Sequence, residues 1–197
     1  MITASDVYRA KILIVDDKKA NVLLLDRILR NAGYTFVAST TDPAEVCDIL
    51  SKNHYDLILL DLMMPEMDGF AVMEELKEIE HDGYLPVLVI TAQPDHELRA
   101  LKAGARDFIS KPFDIAEVLM RVYNMLEVRL LHLETTRLYE EVMEEKRVSE
   151  RLLLNVLPPS VAERLKTEPG IIADSYTDVT VLFADIVGFT ELSESMS

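Results

Sequence analysis

The stretch Tyr55-Asp-Leu-Ile-Leu-Leu-Asp-Leu-Met-Met-Pro-Glu-Met-Asp-Gly69 decides the fold. Leu57 to Leu60 is short, continuously apolar and bounded by turn-forming residues, the pattern of a strand buried on both faces of a parallel sheet. The run carries one acid, Asp61, to its end and then breaks at Pro65 and Gly69. In open α/β sheets the carboxyl edge of the strands faces the ligand crevice, so an acid there is held by a rigid element and stays reachable from solvent. Taken alone, Asp61 has a second reading as the cap of the following helix.

Three further strand-like runs end in polar groups at the same kind of position. Lys11 to Asp17 contains Ile12-Leu-Ile-Val15 and closes on Asp16-Asp17; Pro86 to Thr91 contains Val87-Leu-Val-Ile90 and closes on Thr91; Arg106 to Lys111 contains Phe108-Ile-Ser110 and closes on Lys111-Pro112. Parallel strands bring these ends together. Three neighbouring carboxylates repel one another, and a divalent cation that prefers hard oxygen ligands, Mg²⁺ above all, relieves the repulsion. Asp17 could instead cap the first helix, but adjacent acids closing a buried strand are costly without a cation. A lysine and a hydroxyl beside the acids suit an oxyanion. The groups together describe transfer of a phosphoryl group onto Asp61, with metal and Lys111 neutralising the equatorial oxygens while Asp61 attacks in line.

On these residues, together with Met64-Pro65-Glu66-Met67-Asp68-Gly69, the segment from about residue 10 to 127 resembles a response-regulator receiver domain of two-component signalling. The resemblance implies that Asp61 is the phospho-acceptor, that Asp17, Asp61 and the Met63 carbonyl bind Mg²⁺ directly, and that Asp16 acts mainly through water. It further implies that Thr91 bonds the phosphoryl oxygen, that Lys111 pairs with it, and that Phe108 takes the place of the aromatic switch residue without a hydroxyl. A cis peptide is expected at Lys111-Pro112. A sensor histidine kinase or a small phosphodonor is the implied partner.

The rest of this segment alternates helix and strand. Val22, Leu25, Ile28 and Leu29 give residues 18–32 a helical period, and Gly33 fits the position just past its end. Tyr34 to Ser39 reads as the second strand, Asp42-Pro43 as the start of a helix running to Lys52. Phe70, Met73, Leu76, Lys77 and Ile79 outline a third helix, stopped by His81-Asp82-Gly83, and a fourth covers Asp95 to Ala103 before Gly104 turns the chain. Such alternation predicts a doubly wound α/β fold with a five-stranded parallel sheet, and the resemblance supplies the order 2-1-3-4-5.

Composition narrows the function. The 197 residues are 49% hydrophobic with a net charge of −15, which argues against a nucleic-acid partner, since that would need a basic face. No apolar stretch approaches the ~18 residues of a membrane span, and Met1-Ile-Thr-Ala-Ser-Asp6 lacks a signal-peptide pattern, so a cytoplasmic location without membrane insertion is expected. The lone Cys47 reads as a packed thiol, and His54, His81, His96 and His132 show no ligand spacing.

From Asp114 the helical pattern runs on to about Leu157 without glycine or proline, roughly 65 Å at ~1.5 Å per residue. Leu119, Val122, Leu126, Leu130 and Leu133 make one stripe; Leu131, Leu138, Val142, Leu152 and Val156 make another on a 3.5-residue seam, weakened by Thr135, Glu145 and Ser149. A parallel homodimer through this linker is one reading, and an amphipathic helix folded back on its own domain is the other. After Leu157-Pro158-Pro159, Ser160 can cap a short helix from Val161 to Lys166. Tyr176 to Thr190 then reads as a new strand ending at Asp185. Together with Asn155 to Pro159 and Val161 to Leu165, the stretch Phe183-Ala-Asp-Ile-Val-Gly-Phe-Thr190 resembles the entry to a class III adenylate/guanylate cyclase domain. That implies metal binding by Asp185 and the Ile186 carbonyl.

The expected organisation is a tail (1–9), a receiver (10–127), a coiled-coil linker (128–157), a short helix and connector (158–175) and the start of a cyclase domain (176–197). The chain as it stands is expected to make no cyclic nucleotide, because the other catalytic residues of that family would lie beyond Ser197. The expected function is phosphorelay control of a C-terminal cyclase. The rivals are a non-enzymatic phospho-switched dimerisation module and a receiver coupled to a different output.

Overall fold

Five short runs become the strands β1 (Lys11–Val15), β2 (Phe36–Thr40), β3 (Leu57–Asp61), β4 (Val87–Thr91) and β5 (Asp107–Ser110). The computed structural model describes residues 2–65, 67–79, 84–167, 177–178 and 180–183, and its contacts divide the chain into two units, Met1–Val142 and Met143–Ser197. In the first unit the strands form one parallel sheet in the order β2-β1-β3-β4-β5. The helices are α1 (Ala4–Tyr8), α2 (Lys19–Asn31), α3 (Val46–Lys52), α4 (Gly69–Ile79), α5 (Pro94–Ala103), α6 (Ile115–Val156) and α7 (Pro159–Thr167).

β3 and β4 are buried at every position, which is why they read as unbroken apolar runs. Ile12, Ile14, Leu57, Leu59, Leu88 and Ile90 share one core with α2 and the start of α6, while Leu13, Val15, Ile58, Leu60, Val87 and Val89 share the other with α4. Each alternate residue thus has a helix to pack against.

Several boundaries differ from the sequence reading, each for a tertiary reason. The N-terminal residues expected to be a tail form α1, where the Asp6 carboxylate accepts from the Thr3 N–H and hydroxyl and Val7 is buried in the sheet core. β2 starts at Phe36 rather than Tyr34, because Tyr34 packs against Tyr8 in a tilted ring contact, centroids 5.1 Å apart, and the Thr35 N–H bonds the Tyr8 carbonyl. Asp42 does cap, accepting from the Ala44 N–H at 2.9 Å, yet the turn it caps, Pro43–Glu45, is a 3₁₀ turn leading into α3. Pro94 takes the first position of α5, and Gly104 ends that helix at φ 115°. Gly33 follows α2 at φ 106°, as expected, and the Lys111-Pro112 peptide is cis.

α6 buries Val118, Val122, Met125, Leu126 and Arg129, with Leu119 and Leu130 on the margin of this stripe rather than at its centre. Apolar residues occupy most positions from 118 to 131, so periodicity alone could not select the face. Arg129 is buried because its guanidinium donates to the Tyr84 carbonyl at 2.7 Å. Beyond it, Leu131, Leu138 and Val142 are exposed. In the second unit Leu152 and Val156 are exposed as well. α7 begins one residue before the expected cap: the N–H groups of Val161 and Ala162 both bond the Pro158 carbonyl, which places Ser160 inside the helix. Residues 180–183, expected as an apolar strand with no sheet to join within the chain, are in no strand, and Val181, Leu182 and Phe183 are exposed.

Candidate functional site

Strand register assembles the site. Asp61 closes β3 and pairs with Ile90 of β4, so Thr91 stands one residue further along the neighbouring strand. Asp16 follows β1 directly, its N–H bonding the Thr40 carbonyl at 3.4 Å at the end of the β1–β2 ladder. Lys111 follows β5, and its N–H bonds the Thr91 carbonyl at 2.7 Å. Four strand ends thereby deliver three acids, a hydroxyl and a lysine to one edge of the sheet.

Asp16, Asp17 and Asp61 each offer a carboxylate oxygen, all within 4.8 Å of one another. The Lys111 ammonium donates to Asp61 Oδ1 at 2.8 Å and to Asp16 Oδ2 at 3.1 Å. Asp16 and Asp61 are buried and Asp17 is half-buried. Burial pushes the Asp61 carboxyl above the ordinary carboxylate range; the Lys111 contact opposes this, and the charges of Asp16 and Asp17 add to it. For Lys111, desolvation would lower the ammonium, but hydrogen bonding and attraction to Asp61 and Asp16 outweigh it and hold the group charged.

The donor set fits a hard divalent cation. Among the described residues Asp17 Oδ1 is buried and accepts no hydrogen bond, a costly arrangement for a carboxylate that a metal ion would relieve. Met63 lies two residues past Asp61 in the loop to α4, with an exposed side chain. Thr91 is fully buried, and its hydroxyl oxygen accepts the Gln93 N–H at 3.1 Å. Phe108 sits in β5 opposite Val89, partly buried against the core on the α4 side. Asp185 and Ile186 lie outside the described residues.

One contributor escaped the sequence reading, and a second was read only as part of a motif and as a break in the apolar run. Asn21, in the first turn of α2, donates its amide to both oxygens of Asp16, at 3.0 and 2.8 Å. Its position in the first turn of α2 gave no signal that distinguishes it from a solvated polar residue. Gly69, at the start of α4, is the other. A methyl group there would lie 2.6 Å from the Asp61 carbonyl oxygen and 2.9 Å from Leu62 Cα. Glycine therefore lets α4 start directly against the backbone that presents Asp61. Gly69→Ala is expected to destabilise the protein by about 1–3 kcal/mol, since the overlap is with backbone and outweighs alanine's better helix propensity. Urea denaturation checks this: a midpoint equal to or above the wild type's would remove the close-approach argument.

The parallel 2-1-3-4-5 sheet with an acid cluster and lysine at its carboxyl edge defines a doubly wound α/β protein with a pocket suited to a divalent cation. Comparison with known proteins agrees. The model of the response regulator receiver domain matches residues 12–123. Response regulator PleD of Caulobacter vibrioides is 38% identical over 124 residues, 62% of this chain and 27% of that protein. Transcriptional regulatory protein PrrA of Mycobacterium tuberculosis is 37% identical over 125 residues, 62% of this chain and 52% of that protein. The chain thus spans about a quarter to a half of the length of these relatives. Among solved structures, chemotaxis protein CheY4 of Vibrio cholerae superposes with a TM-score of 0.55 at 27% identity, covering 59% of this chain and 98% of that one. The receiver domain of a Pseudomonas aeruginosa sensor histidine kinase, with a magnesium ion coordinated in its active-site cleft, superposes with a TM-score of 0.56 at 27% identity, covering 60% and 98%.

The chain belongs to the response regulator receiver domain family, the receiving module of phosphorelay signalling. Among its described residues no helix is long and apolar enough to cross a membrane.

Proposed function

We propose that this chain is the phospho-accepting regulatory part of a protein in which a receiver controls a C-terminal adenylate or guanylate cyclase through a dimeric helical linker, the receiver taking in α1 and ending near residue 127, followed by the linker (128–157), a connector (158–175) and the start of the cyclase domain (176–197). The receiving half rests on one observation: Lys111 bridges Asp61 and Asp16 while Asp17 Oδ1 is buried without a partner. Asp61, Asp17 and the Met63 carbonyl would hold Mg²⁺, which when bound neutralises charge on the transferring phosphoryl oxygens. A carboxylate oxygen of Asp61 attacks the phosphorus of a histidine kinase phosphohistidine or of an acyl phosphate. The new P–O bond forms as the bond to the donor's nitrogen or oxygen breaks, and that atom leaves with the electron pair. Lys111 holds the phosphoryl oxygens. Thr91 accepts from the Gln93 N–H, which leaves its own O–H to donate to the phosphoryl group. Movement of Thr91 toward the phosphate and repacking of Phe108 alter the receiver surface, and receiver pairing biases the linker between two dimer arrangements.

The output half rests on Phe183-Ala-Asp-Ile-Val-Gly-Phe-Thr190, in which Asp185 and the Ile186 carbonyl would bind metal, and on the exposed Leu131, Leu138 and Val142 of α6, which a second copy would cover. The net charge of −15 speaks against a DNA-binding output. The test measures cyclic-nucleotide formation from ATP and from GTP by the protein extended beyond Ser197, with and without acetyl phosphate. Turnover that responds to phosphodonor is expected. No turnover with either nucleotide would replace this reading by a phospho-switched dimerisation module.

A further inference from the structure

The three acids of the site are not equivalent, and the difference comes from α2. Asp16 Oδ1 accepts the Lys18 N–H at 2.9 Å and the Asn21 amide at 3.0 Å; Oδ2 accepts the same amide at 2.8 Å and Lys111 at 3.1 Å. A carboxylate has about four lone-pair directions, so Asp16 is saturated although only 1% exposed. Asp17 Oδ1, by contrast, is buried with no hydrogen bond. The helix that presents Asn21 is fixed by Val22 and Leu25, which it carries into the core.

We infer that Asn21 is a positioning residue that ties Asp16 back from direct coordination and so sets which cation the site selects; the inference rests on the metal site proposed above. With Asp16 held, two carboxylates remain for direct contact. That number suits Mg²⁺, which is bound through one or two carboxylates and keeps several waters. Ca²⁺ takes more oxygen ligands in a looser shell and gains more from a third carboxylate. Releasing Asp16 would supply that third carboxylate.

The test is calorimetric titration of the chain with MgCl₂ and with CaCl₂, for wild type, Asn21→Ala, Asn21→Ser, Asp16→Asn and the Asn21→Ala/Asp16→Asn double variant, with thermal melting in EDTA as the check on folding. Asn21→Ala and Asn21→Ser are expected to shift the Ca²⁺-to-Mg²⁺ affinity ratio about tenfold toward Ca²⁺, the scale on which groups orienting a ligand act. Adding Asn21→Ala to Asp16→Asn should shift the ratio no further, because the effect passes through Asp16. An unchanged ratio in the single variants, or an equal shift in the Asp16→Asn background, would overturn the inference. Absence of any Mg²⁺ binding by the wild type would instead overturn the metal site itself, and the inference with it.

Discussion

Asp61→Asn is expected to reduce phosphoryl incorporation from acetyl phosphate by at least about a thousandfold, because the attacking carboxylate oxygen is replaced by a weakly nucleophilic amide. Intact-protein mass measured over time gives the rate directly. Unfolding cannot account for the loss: the substitution removes a buried charge from a cluster of three acids, so the metal-free variant should melt no lower than the wild type. Incorporation that persists in the variant would move the acceptor elsewhere, since Asp61 is the acid that both closes the central strand and meets the Lys111 ammonium.

Asp17→Asn should weaken Mg²⁺ binding by about 10–100-fold or more, given that even outer-sphere partners are worth that much. Its unpartnered buried oxygen is the reason. A pH dependence accompanies this and its sign follows from Asp61. Burial, against the pull of Lys111, raises its carboxyl, so the folded metal-free protein holds that proton more tightly than the unfolded chain does. The stability so gained is complete below the unfolded carboxylate range and is lost as pH rises through the folded value. Mg²⁺ binds the deprotonated form, so its affinity should fall as pH is lowered through the same window, beginning above the ordinary carboxylate range. Titrations at descending pH check this. An affinity that stays constant until the ordinary range is reached would mean that Asp61 is not shifted in solution.

Much of the site was legible because its parts are local. Ile12 to Val15, Leu57 to Leu60 and Val87 to Ile90 announce buried strands by composition alone, and Asp16, Asp61, Thr91 and Lys111 each sit at or just past a strand end. Parallel pairing then brings them together without further information. The Asn21–Asp16 bond was not legible, since an asparagine at the start of a helix reads equally well as a solvated polar residue. Nor was Gly69, which looked like a chain break and proves to be a contact with the Asp61 backbone.

The amino-acid order by itself determined the five strands, their alternation with helices and the identity of the acids, because strand burial and strand-end chemistry are written in runs of a few residues. Only the tertiary structure decided which face of α6 is buried, that α1 packs into the core and delays the start of β2, and that one of three adjacent acids is satisfied while another is not. Each of these depends on residues far apart in the chain meeting within hydrogen-bond or van der Waals distance: Tyr8 with Tyr34, Arg129 with Tyr84, Lys111 with Asp16. A local pattern carries no record of such a distance.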